Sequence, residues 1–221
     1  MTTGNSVAAD LFLPEPNDIF IPEARVTDWS GLYAGVHFGG ATGLVDVPAP
    51  TPPAIGLDDY RVQGWLAGGQ IGANAQFDSI VVGAELDAAW SNVSGSGSML
   101  AGVLNVGTDK TIDALGSLRG RIGFAAENFL VYATSGVALA ATTGTAWEEF
   151  AGVRTDLGTD SAHHLGWALG AGAEVMVTEV VSVKAEYLYH RFGNATYDYG
   201  AGSVEDSFDL HTIKVGANFH F

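Results

Sequence analysis

The chain has no cysteine in its 221 residues, and only 9 lysines and arginines stand against 25 aspartates and glutamates. The missing thiols exclude a disulfide framework, a cysteine-based zinc site and a thiol nucleophile. A formal net charge of −16 excludes a nucleic-acid surface, because affinity for phosphates comes mainly from cations that neutralise them. Charge of either sign is scarce, at 15% of residues where about 25% is usual. Also lacking is a run fit for a membrane helix: residues 128–147 carry no charge, but Thr134, Ser135, Thr142, Thr143 and Thr145, with Gly136 and Gly144, make a poor lipid-facing helix. What is abundant is glycine, 30 residues without the period of three that collagen needs, and apolar surface, 47% of residues, too much for a disordered chain.

The first nine residues hold neither the basic nor the apolar region of an intact secretory signal, yet Val7-Ala8-Ala9 has the small residues of a signal-peptidase site. They are read as the stub of a signal. Pro14, Pro16 and Pro22 follow among five acidic residues, the composition of an extended tail. Two regions result: a tail over 1–28 and one folded domain over 29–221.

Within that domain period-two alternation recurs. Ile80 to Ser91 places Ile80, Val82, Ala84, Leu86, Ala88 and Trp90 on one face and Glu85 and Asp87, among small residues, on the other. Segments 65–77, 165–177, 180–190 and 212–221 repeat the pattern, and 32–42, 114–125 and 129–141 do so less regularly. Eight strands are predicted. Their connections alternate between short ones near residues 78–79, 126–128 and 178–179 and long ones over 43–63, 92–113, 142–164 and 191–209. Short and long connections alternating around an even number of strands describe an all-β, eight-stranded, antiparallel, transmembrane up-and-down β-barrel.

The direction of polarity distinguishes this from a soluble barrel. The face shared by Glu85 and Asp87 is mostly glycine, alanine and serine, too small and too sparsely charged for a soluble exterior but suited to the crowded inside of a narrow barrel. On this threading Trp65, Trp90, Trp167, Tyr187 and Tyr189 point outward near the long-loop end, and Phe77, Phe124, Phe129, Phe219 and Phe221 near the short-turn end. These are two aromatic girdles of the kind found at membrane interfaces. The charged residues within strands, Glu85, Asp87, Glu174 and Glu186 with Arg119, Arg121, Lys184 and Lys214, all face inward, where an intramembrane charge avoids lipid. Arg119 and Arg121 are expected to bridge Glu85 and Asp87 to the group of Glu174, Lys184 and Glu186. His37, His190 and His220 share that face. Such a lumen is expected to be a plug, with an ion-selective path or a proton relay as alternatives. Because the strand charges cancel, the −16 divides into −4 before Leu32, −3 in the short turns and −9 in the long loops.

The last segment alternates up to Phe221, and this resembles the terminal strand by which outer-membrane barrels of Gram-negative bacteria are recognised for assembly. Trp29-Ser30-Gly31-Leu32-Tyr33-Ala34-Gly35 resembles the W-x-G-x-Y-x-G opening of the opacity-type and porin-like small outer-membrane proteins. Leu130-Val131-Tyr132-Ala133-Thr134-Ser135-Gly136 resembles that family's fifth strand, LVYATGG, with Ser135 departing from it. The resemblance covers about residues 29–221. It implies an outer-membrane protein with periplasmic termini and four extracellular loops, in contact with lipid and lipopolysaccharide and delivered by the barrel-assembly machinery through its last strand. The implied role is structural and surface-exposed within the envelope; the alternatives are a small-solute or ion channel and a haemin-binding or adhesion receptor.

No catalytic, cofactor-binding or metal-ligating residues are nominated, and the chain is not expected to be an enzyme. His163-His164 lies near Asp156, Asp160 and Ser161, but no G-x-S-x-G elbow or H-E-x-x-H helix is present, and these histidines are read as outward residues of a long loop. Glu148-Glu149 and Glu205-Asp206 are read as solvated loop acids, since no D-x-D-x-D-G calcium loop exists.

Overall fold

The computed structural model describes residues 27–46, 59–101, 103–198 and 203–221. Eight strands follow one another: β1 (Gly31–Asp46), β2 (Tyr60–Phe77), β3 (Ile80–Ala101), β4 (Leu104–Ala126), β5 (Phe129–Phe150), β6 (Val153–Met176), β7 (Val181–Asp198) and β8 (Ser203–His220). Each pairs antiparallel with its neighbours in sequence, and β8 returns to β1 through pairs from Tyr33↔His220 to Asp46↔Ser207, closing the ring. The expected tail lies outside the described residues apart from Thr27 and Asp28, as do Pro48, Pro50, Pro52 and Pro53 of the first long connection.

The short turns fall where the alternation breaks. Asp78-Ser79 joins β2 to β3 and Glu127-Asn128 joins β4 to β5, with Asp78 at φ 53° and Glu127 at φ 51°, the left-handed conformation that tight hairpins require. At the other end the structure corrects the expectation of long loops. Residues 92–113, 142–164 and 191–209 are mostly strand: β3 to β6 run for 22 to 24 residues, and β5 turns into β6 through Ala151 and Gly152 alone, at φ 48° and 81°. The barrel therefore continues beyond its membrane belt as paired hairpins. Bulges explain why alternation hides this. The register shifts between Trp90 and Val93, between Ile112 and Ala114, and between Phe192 and Ala195, just past the upper girdle. In β4 and β7 the extra residue flips the inward-outward phase, so a pattern followed from the barrel wall appears to stop there, whereas β3, β5, β6 and β8 keep the same alternate positions inward past this height.

The polarity of the wall is inverted relative to a water-soluble barrel. Leu32, Val36, Phe38, Ile71, Leu118, Ile122, Leu165 and Ile213 point outward and are each more than half exposed. The inward face holds the charged and polar residues. Trp65, Trp90, Trp167 and Tyr187 are exposed at one end of this apolar belt and Phe77, Phe124, Phe129, Phe219 and Phe221 at the other, with Tyr189 half-buried against Trp167 at a ring separation of 5.5 Å. Two inward glycines mark close approaches: a Cβ on Gly72 would strike the Tyr33 ring, and one on Gly172 would come within 2.6 Å of the Tyr132 ring.

Candidate functional site: the charged barrel interior

The interior is filled in layers. At the short-turn end Trp29 is fully buried with Val81, Leu130, Tyr132 and Met176. The chain ahead of β1 crosses the barrel mouth, held where Trp29 N donates to Gln76 Oε1 at 2.8 Å and Thr27 N donates to the Glu127 carbonyl at 2.8 Å. The tryptophan of the opening motif is thus a stopper.

Above it lie the eight charged residues predicted to face inward, all buried. Glu85 on β3 is a hub. Arg119 reaches its Oε1 at 2.6 Å, while Lys184 Nζ and the Tyr33 hydroxyl donate to its Oε2 at 2.8 and 2.9 Å. Arg119 from β4 also lies 3.4 Å from Asp87 and 3.0 Å from Glu186, so one guanidinium joins three carboxylates. Lys214 on β8 donates to Asp87 at 2.8 Å, and the Ser117 hydroxyl donates to the same carboxylate. Arg121 lies 3.4 Å from Glu174 and is sandwiched between the Tyr33 and Tyr132 rings, each 4.9 Å from its guanidinium carbon. Glu174 accepts further from Asn218 Nδ2 at 2.6 Å and from the Ser182 hydroxyl. Gln70 completes the ring through Asn218 and His37, both at 2.6 Å. Every strand contributes, and the charges cancel.

Over this network sits an apolar layer that includes Val62, Leu66, Ile112, Leu115, Phe208 and Leu210. Between the two is a space of about 10 Å³ bordered by Asp87, Ser117, His190, Thr212 and Lys214, the lower limit for one water molecule. A second polar cluster follows. Lys110 donates to both carboxylate oxygens of Asp206 at 2.9 Å and sits 4.4 Å over the Phe208 ring. His164 Nε2 lies 2.9 Å from the Tyr197 hydroxyl, which meets Thr142 Oγ1 at 2.6 Å.

The structure brings all eight strand charges into one network, with Arg119 and Arg121 as its bridges. The neutral partners Tyr33, Tyr132, Gln70, Ser117, Ser182 and Asn218 were not singled out, because an inward hydroxyl or amide in an alternating strand looks like any small polar residue. Of the upper cluster, Lys110 and Tyr197 lie beyond phase-reversing bulges. Thr142, His164 and Asp206 keep the inward parity of their strands but alternate with polar outward residues such as Thr143, Ser161 and Asp209, which hides the pattern. Two readings are corrected here. His164 is not an outward loop residue but a wholly buried one on β6, only His163 being exposed. Asp206 is not a solvated loop acid but the buried partner of Lys110. Among the described residues no group of three or more histidines, aspartates or glutamates is placed to hold a metal ion.

Chemically the arrangement ties strands together. Its carboxylates and cations are spent on one another, and apolar layers lie on either side. A closed ring of eight strands with an apolar belt, aromatic girdles and a charge-neutralised core is a membrane-spanning β-barrel, since charge can face inward and apolar side chains outward only where lipid is the outer solvent. Residues 19–221 match the model of the outer membrane protein beta-barrel domain, and the chain belongs to that family.

The 31 kDa outer-membrane immunogenic protein of Brucella melitensis is 32% identical over 238 residues, covering 100% of this chain and 95% of its own. The 22 kDa outer membrane protein of Rhizobium leguminosarum bv. viciae is 30% identical over 202 residues, covering 90% and 82%. Among solved structures, Ail of Yersinia pestis aligns at 14% identity and a TM-score of 0.37 over 87% of this chain and 99% of its own. OprG of Pseudomonas aeruginosa aligns at 13% identity and 0.44 over 89% and 99%. By the family model and the relatives, the protein is an outer-membrane β-barrel.

Proposed function

We propose that this barrel is a closed structural element of the outer membrane, without enzymatic activity, that displays its long hairpins at the cell surface and keeps both termini in the periplasm. The observation that carries this reading is the filled interior. A solute would have to pass the Trp29 stopper, a neutralised charge network and an apolar layer, each spanning the lumen. An eight-stranded barrel leaves room inside for little more than side chains. Contacts with lipid and lipopolysaccharide follow from the girdles, and recognition by the assembly machinery is assigned to the last strand with its exposed Phe221. That the Brucella relatives are called immunogenic supports surface display.

Conductance in planar bilayers tests the closed state. Purified protein should give no steady channels; steady, ion-selective channels reduced by Arg119→Ala would overturn the proposal. A haemin receptor is not favoured: of the adjacent His163 and His164, the two imidazoles that a haem iron would need outward, His164 is buried and already engaged with Tyr197.

A further inference from the structure

The outer wall has a hollow at the height of the upper girdle. Gly40 and Thr42 of β1 form its floor, and Gln63 of β2, Tyr187 of β7, and His211 and Ile213 of β8 form its sides, around a space of about 770 Å³. The strand register makes it. Gly40 pairs with Trp65 and with Ile213, and Ile213 with Tyr187, so one outward row reads Tyr187, Ile213, Gly40, Trp65. The next row up reads Tyr189, His211, Thr42, Gln63. Gly40 alone in these rows lacks a side chain, and a Cβ there would meet the Gly64 carbonyl oxygen at 3.8 Å, an ordinary contact. The wall itself therefore does not demand glycine at this position; what glycine leaves is a gap between two aromatic residues.

The chemistry of the hollow is mixed. Trp65 and Tyr187, each nearly half exposed, bring ring faces to its two sides. Its polar groups are the Thr42 hydroxyl, the Gln63 amide and the Tyr187 hydroxyl, which lies 2.7 Å from Nδ1 of the stacked His211 ring. The charges on its rim balance. Arg61 and Arg191 stand one row higher, and Arg191 is held by Asp209 at 2.7 Å and Asp46 at 3.3 Å. On the lower side Phe38, stacked on Trp65 at a ring separation of 6.5 Å, and Ile213 are both more than half exposed and continue into the apolar belt.

We propose that this hollow binds a sugar ring of a glycolipid headgroup. The negative face of an aromatic ring attracts the positively polarised C–H groups of a pyranose. Hydroxyl, amide and imidazole groups suit the sugar hydroxyls, because each can both donate and accept. A phosphate group is disfavoured, since the two cations on the rim are matched by Asp46 and Asp209. The sugar is lipid-linked because the hollow lies at the depth of the aromatic girdle, where headgroups sit. Its lower lip of Phe38 and Ile213 then leads an acyl chain onto the belt. The proposal deepens the contact with membrane lipid put forward above and rests on that reading.

The test uses the full chain in micelles of deuterated dodecylphosphocholine with dodecyl maltoside as a minor guest, two surfactants that share a tail and differ in headgroup. Nuclear Overhauser contacts should run from the sugar-ring protons to the Tyr187 and His211 rings and the Thr42 methyl. Gly40→Leu fills the hollow and should cut them at least fivefold. Gly120→Leu, at another exposed glycine where a Cβ would meet the Ser135 carbonyl oxygen at 3.9 Å, should leave them unchanged. Gln63→Ala should weaken them without closing the space. Equal sugar contacts at Trp90, exposed in the same girdle, or contacts that survive Gly40→Leu would overturn the proposal. Methyl maltoside, which has no tail, should give no such contacts at the same concentration; equal contacts would overturn the lipid-linked assignment. Tail contacts at the exposed Leu165 and Val215 read the belt separately. Their presence without sugar contacts in the hollow overturns the site alone, and their absence overturns the membrane reading on which it rests.

Discussion

Arg119 shows what a single side chain does in this molecule. Fully buried and bound to carboxylates from β3 and β7, it is more a cross-brace than a charge. Arg119→Ala leaves Glu85, Asp87 and Glu186 facing one another without their common cation. Breaking a buried pair by removing one partner costs about 3–5 kcal/mol, and that loss is expected in urea unfolding of the refolded protein, followed by heat-modifiable gel migration. Arg119→Lys should recover only part of it, because a single ammonium cannot hold three carboxylates at the spacing of a planar fork. The charged residues were legible in the sequence because a charge inside an apolar alternation has one place to go. Their neutral partners were not, since Tyr33 reads as a motif residue until its ring is seen lying over Gly72 and beside Arg121.

Among the elements, turns were easier to read than strand ends. Asp78-Ser79 and Glu127-Asn128 interrupt clear alternation, so the hairpins they make could be placed closely. The far ends of β3 to β6 could not, because a bulge reverses the phase before Lys110 in β4, and around Thr142 and His164 the outward neighbours Thr143 and Ser161 are polar too, so that all three look like loop residues. Ala151 belongs to this hidden part. It sits at φ 48° before Gly152 at φ 81°, a two-residue turn in which alanine is a poor first residue. Ala151→Asn creates the Asn-Gly pair that such turns favour and should stabilise the β5–β6 hairpin by up to about 1 kcal/mol. Amide exchange at the tip is the measurement, with residues 148–156 slowing and the barrel wall unchanged.

For the whole molecule, the placement of charge separates the wall from its two ends. The strand charges cancel inside the wall, and Lys110 with Asp206 forms another neutral pair within the projecting part, so the acidity belongs to the two ends and the exposed faces of the hairpins. Burying an unpaired charge in hydrocarbon costs several kcal/mol, which fixes the apolar belt as the lipid-facing zone but leaves the ends alike in sign. Length breaks the symmetry. The short-turn end is finished within two residues at Asp78-Ser79 and Glu127-Asn128, whereas β3 runs from Trp90 to Ala101 beyond the girdle, about 36 Å of strand at roughly 3.3 Å per residue. On the proposed orientation, with the termini in the periplasm, the long end is outside. The absence of native cysteine makes this directly testable, since any introduced thiol is the only one. Ala151→Cys should react with a membrane-impermeant maleimide on intact cells, and Glu127→Cys only after the outer membrane is permeabilised. The reverse pattern would invert the topology.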